Sequence, residues 1–152
     1  MRIALLALLL LAAGGTLAAD SVPCLLKPAE LAPVLGHTPQ EGKPERDPFG
    51  NPLCIYERGT ELGHRFLLLV QSKPWDRKRY DHRVSLARGS GIREAVILQD
   101  VGDAGFFVEG AAGALAGTRY IEISGFKAAA TKPVSAEEAA GLLRLALQRL
   151  PK

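Results

Sequence analysis

Histidine, cysteine and aromatic side chains are scarce in this chain of 152 residues, which holds 3 His, 2 Cys, 1 Trp and 6% aromatic residues in all. His37, His64 and His82 do not stand at the spacing that places two ligands on one helix face, so no metal site is expected. The serines offer no nucleophile elbow, because Gly89-Ser90-Gly91 lacks the required spacing, and no glycine-rich phosphate loop stands beside a lysine. No cofactor is expected. With 47% hydrophobic residues, 23% charged residues and a formal net charge of +3, the composition excludes a disordered acidic tail, a collagen-like repeat and a multi-span membrane protein.

The one long apolar run is Ile3 to Ala13, preceded by Arg2 and followed by Gly14, Gly15, Thr16 and then the small residues Ala18 and Ala19. This pattern reads as a cleaved secretory signal peptide over residues 1–19, because a spanning helix needs about twenty apolar residues. Cleavage after Ala18 and cleavage after Ala19 both remain open. No cysteine follows the apolar run directly, so a lipid anchor is not expected. Residues 20–152 are then long enough for one compact domain and too short for two of average size. A periplasmic or secreted location follows.

Cys24 and Cys54 are the only cysteines, and both lie in the exported part. An oxidising compartment leads to a single disulfide between them. A metal pair or a redox dithiol would need close spacing and further ligands.

Pro28 to Gly36 reads as a short helix with proline near its start and glycine past its end, made brief or irregular by Pro33. Residues 37–52 are polar and rich in turn formers, which predicts a surface loop. Strands are expected over Leu53 to Glu57, Arg65 to Gln71, residues 92–99, Phe106 to Glu109 and Arg119 to Ser124. The run Phe66-Leu67-Leu68-Leu69-Val70 is apolar at every position, so both faces of that strand should be covered. A second helix is expected from Trp75 to Arg88. A third begins at Ser135, whose capping box with Glu138 precedes a stripe containing Ala139, Leu142, Leu143 and Ala146. The predicted class is α+β, with an antiparallel sheet of about four or five strands, helices packed mainly on one face and one disulfide.

Cys24 before a helix ending Val34-Leu35-Gly36, then Cys54-Ile55-Tyr56, then Val101-Gly102-Asp103-Ala104 and a closing amphipathic helix together resemble small exported proteins and lipoproteins of bacterial envelopes with PsbP-like or similar folds. The resemblance implies helices on an antiparallel sheet and a non-catalytic envelope role. It carries over no catalytic residue, and this chain departs from the lipoprotein pattern in lacking an acylated cysteine.

The charge balance is unusual in residues 73–93, where Lys73, Arg77, Lys78, Arg79, Arg83, Arg88 and Arg93 face only Asp76 and Asp81. With Trp75 and Tyr80 interleaved, Lys73, Trp75, Arg77, Lys78, Arg79, Tyr80 and Arg83 form a candidate surface for an envelope protein, a glycopolymer or an anionic lipid headgroup. The compartment argues against nucleic acid. Around a helix these charges point in nearly every direction, which favours a solvated helix anchored by Tyr80 and Val84. The leading expectation is an exported, non-catalytic binding or accessory module. Two competing readings are a small envelope hydrolase using Asp103 with a distant histidine, and a carrier whose apolar strand at Phe66 to Val70 lines a pocket for a hydrophobic ligand.

Overall fold

The computed structural model describes residues 24–59, 63–89, 91 and 93–151, so the signal-peptide expectation for residues 1–19 lies outside the described residues. Four helices occur among them, α1 (Pro28–Leu35), α2 (Arg77–Ala87), α3 (Phe126–Ala129) and α4 (Ala136–Arg149). The strands are β1 (Lys43–Arg46), β2 (Pro52–Glu57), β3 (Arg65–Val70), β4 (Val96–Leu98), β5 (Ala104–Val108), β6 (Ala111–Ala116) and β7 (Arg119–Ser124). They form one sheet in the order β1-β2-β3-β7-β6-β5-β4, antiparallel at every pairing.

The α+β class and the antiparallel sheet agree with the sequence reading, but the sheet has seven strands rather than four or five. The two additional strands are β1 and β6. β1, Lys-Pro-Glu-Arg, is exposed along its whole length and has no apolar alternation to announce it. Its lysine and proline are the residues that keep an edge strand from pairing with another chain. β6, Ala-Ala-Gly-Ala-Leu-Ala, is buried at its four central positions yet has no β-branched residue. Small side chains are needed there because the neighbours come close: a Cβ on Gly113 would stand 2.5 Å from the Tyr120 hydroxyl oxygen and 2.6 Å from the Phe106 ring.

Alternation divides the sheet into two faces. On one face Tyr56, Phe66, Leu68, Ile121 and Ile123 join α1, α3 and α4 in the main core, with Leu31, Leu35, Leu142 and Leu143. Phe66 is central to it, its ring 5.8 Å from Tyr56 and 5.3 Å from Phe126. Ser135 starts α4 as expected, accepting from the Glu138 N–H while its own N–H donates to the Glu138 carboxylate at 2.9 Å. Pro33 sits inside α1 without breaking it, because an eight-residue helix has few interior hydrogen bonds to lose.

Among the described residues the second face carries only α2, whose Tyr80 packs with Phe106, Val108, Leu115 and Tyr120. Helices thus lie mainly on one face, and the basic helix is the exception. The expectation that both faces of the Phe66 to Val70 strand are covered holds for one side only. Phe66, Leu68 and Val70 are buried, while Leu67 and Leu69 point to the second face and are half-exposed.

Cys24 is bonded to Cys54 with a Cα–Cα distance of 5.4 Å, which ties the segment before α1 to β2. A second tie lies beside it, since the Tyr56 hydroxyl donates to the Leu26 carbonyl at 2.6 Å and accepts from the Leu26 N–H at 3.2 Å. The chain crosses this junction at Gly42, where an added Cβ would stand 2.5 Å and 2.7 Å from the two sulfurs.

Two carboxylates near helix ends are paired in a way that predicts a pH-dependent stability. The Arg149 guanidinium, bonded to Glu30 at 2.7 Å, holds that carboxyl down to about 2, and Lys132 with the Ser135 cap does the same for Glu138. A carboxyl with a depressed folded pKa stabilises above its ordinary value, and the contribution is lost as pH falls toward the folded value. The urea midpoint should therefore fall between about pH 4.5 and about pH 2. Glu30→Gln with Glu138→Gln should flatten part of that fall, and an unchanged profile would refute the assignment. Both groups are reached by solvent, so added salt should shrink the effect.

Candidate functional site

The structure redistributes the basic segment that the sequence singled out. α2 starts at Arg77 because Asp76 caps it, its carboxylate accepting from the Arg79 N–H at 2.8 Å. Arg77 bonds Asp81 at 2.9 Å, and its guanidinium carbon lies 5.3 Å from the centroid of the Tyr80 ring. Arg79 donates to the Pro74 carbonyl at 3.0 Å. Lys78 is exposed on the helix surface.

Trp75, Tyr80 and Arg83 are packing residues here. Trp75 stacks on Tyr120 with centroids 4.0 Å apart and planes 6° from parallel. Tyr80 is buried and meets Phe106 and Tyr120 edge-on. Desolvation pushes its hydroxyl up to about 12. Arg83 turns under the helix and holds both carboxylate oxygens of Glu122 on β7, one of them through Nε at 2.7 Å. The Tyr120 hydroxyl donates to the same carboxylate at 2.6 Å. Glu122 is 8% exposed, and each of its oxygens has a donor. That pairing raises the Arg83 pKa, and burial is the main cause that raises Tyr120.

Lys73 has a different setting. It lies in the loop between β3 and α2, at a concavity of about 420 Å³ that also receives Arg46 from the end of β1 and Arg119 from the start of β7. Val70, Pro52 and Pro151 supply apolar surface, and no acidic side chain is among the described residues that line it. Neither Lys73 nor Arg119 has an ion-pair partner among the described residues. Asn51, 6% exposed, fixes the rim: its side-chain oxygen accepts from the N–H and hydroxyl of Ser72, at 3.1 Å and 2.8 Å, next to Lys73. Arg79 stands beside the same rim through Pro74. Arg46 and Arg119 are separated from Lys73 in sequence, and only the meeting of β1, β3 and β7 ends brings them together.

Other candidate chemistry has a structural occupation. Asp103 sits in its glycine turn and accepts from the Gly117 N–H at 2.5 Å, while its own N–H donates to Leu115 at 2.7 Å. The hollow beside it, about 240 Å³, is lined by Asp81 and Asp100 and, among the described residues, by no histidine. His37 donates from Nε2 to the Ala129 carbonyl, 2.8 Å away, on the opposite side of the sheet from α2. No group of three or more His, Cys, Asp or Glu side chains suited to a metal occurs among the described residues. No helix among them is long and apolar enough to cross a membrane. No family model, no curated protein and no solved structure matches this chain.

Proposed function

We propose that this protein is a non-catalytic binding module of the cell envelope, periplasmic or secreted, that takes an anionic ligand at the concavity of Arg46, Lys73 and Arg119. One observation carries the reading: Lys73 and Arg119, from separate parts of the chain, meet at one hollow beside Arg46 with no acidic side chain among its described lining. Low-dielectric walls around like charges focus the field and raise the local concentration of an anion. The envelope setting rests on the leader-like N-terminus, on the disulfide, which persists under oxidising conditions, and on the resemblance to exported PsbP-like proteins.

The test uses dextran sulfate as a soluble polyanion, with Trp75 as the reporter two residues from Lys73. Addition of the polymer should alter Trp75 fluorescence, and the response should weaken with salt. Lys73→Glu with Arg119→Glu should weaken binding by at least about tenfold and leave the urea midpoint nearly unchanged. Arg77→Glu with Lys78→Glu should have a smaller effect, because those side chains lie away from the hollow. Equal binding by the Lys73/Arg119 variant would refute the site.

A further inference from the structure

We propose that the anionic partner is a lipid bilayer surface, with Phe49 entering its interface while Lys73 and Arg119 face the headgroups. This inference rests on the anion-binding reading and adds the partner. Phe49 is 87% exposed at the tip of the hairpin between β1 and β2. A single exposed apolar side chain is ordinary; the turn that presents this one is not loosely held. The Asp47 carboxylate accepts from the N–H groups of Phe49 and Asn51 at 2.9 Å and 2.8 Å and from the Asn51 side chain at 2.8 Å. The Gly50 N–H donates to the Asp47 carbonyl at 2.9 Å, and Gly50 takes a φ of 83° that suits glycine.

The same turn is fastened to the cationic hollow on both sides. Arg46 donates to the Gly50 carbonyl at 2.7 Å, and Asn51 accepts from Ser72 beside Lys73. The aromatic tip and the cations therefore belong to one end of the sheet. Asp47 is turned into the loop by its own bonds, and Glu45 alternates with Arg46 onto the other face of β1.

The paired chemistry selects the partner. A soluble glycopolymer offers anionic groups and, for Phe49, only the narrow C–H faces of its sugar rings. A bilayer with anionic lipids offers both, since aromatic side chains settle at the headgroup level and cations are attracted by the negative surface. Removing a cation near such a surface weakens binding about fivefold, and withdrawing a phenylalanine from the apolar boundary weakens it about tenfold or more.

The experiment sediments the protein, purified from an exporting host, with vesicles of phosphatidylcholine alone and of phosphatidylcholine mixed with phosphatidylglycerol. The wild type should bind the anionic vesicles, release them in high salt and ignore the neutral ones. Phe49→Ser should weaken vesicle binding about tenfold or more while leaving dextran sulfate binding and the urea midpoint unchanged. Lys73→Glu with Arg119→Glu should weaken both kinds of binding. Response to dextran sulfate without vesicle binding, or equal vesicle binding by Phe49→Ser, overturns the membrane inference and leaves the anion site standing. No response to either probe overturns both.

Discussion

Arg83→Ala is expected to lower the free energy of unfolding by about 3 kcal/mol, the lower end of the cost of removing one partner from a buried pair. Glu122 is 8% exposed and would be left with only the Tyr120 hydroxyl as a side-chain donor. Arg83 is less deeply buried than its partner, which is why the lower end applies. Glu122→Gln should cost less, because a neutral amide still accepts from Tyr120 and the released guanidinium is near enough to solvent to be hydrated. Trp75 stacks on Tyr120, so its near-ultraviolet dichroism should change in Arg83→Ala. Urea unfolding of the two variants decides the matter, and a loss below about 1 kcal/mol for Arg83→Ala would mean that the pair behaves as a surface ion pair. The consequence for binding experiments is direct. A variant at Arg83 reports on stability, and its loss of binding would say nothing about the anion site.

Removing the Cys24–Cys54 bond should cost about 3 to 4 kcal/mol in the chain-entropy account, given a sequence separation of 30 residues. The folded structure should survive the loss, because the same junction keeps the Tyr56 bonds to Leu26 and the Arg149 bond to the Leu25 carbonyl at 2.7 Å. Cys24→Ser with Cys54→Ser, compared with the wild type with and without dithiothreitol, should show the same drop in urea midpoint by either route. A midpoint that stays put on reduction would show that these other ties already hold the segment. The far-ultraviolet spectrum should be native-like in both states at low urea.

The elements that were legible in the sequence are those whose pattern repeats within one segment. α4 could be read from Ser135, Glu138 and its apolar stripe, and β7 from the alternation of Ile121 and Ile123 against Tyr120 and Glu122. β6 could not, because alanine and glycine there answer to the Tyr120 and Phe106 rings lying across them. β1 could not, because an exposed edge strand has no buried face to impose a period on its residues. Within the candidate site only Lys73 was visible. Its neighbours Arg46 and Arg119 gave no signal, since each stands alone in its own stretch of sequence.

The sequence by itself determined the α+β class, the cysteine pair, the capped C-terminal helix and an excess of positive charge in residues 73–93. Those features depend on composition and on contacts between near neighbours along the chain. Tertiary structure decided what each charge does. Helical periodicity could not tell that Arg83 would find Glu122 beneath it or that Trp75 would lie flat on Tyr120. Nor could it bring Arg46 and Arg119 to Lys73, or set the turn that carries Phe49 at the same end of the sheet. The physical reason is that a charge acquires its role from the partners within a few ångströms, and in this fold those partners come from strands that are adjacent in the sheet and distant in the chain.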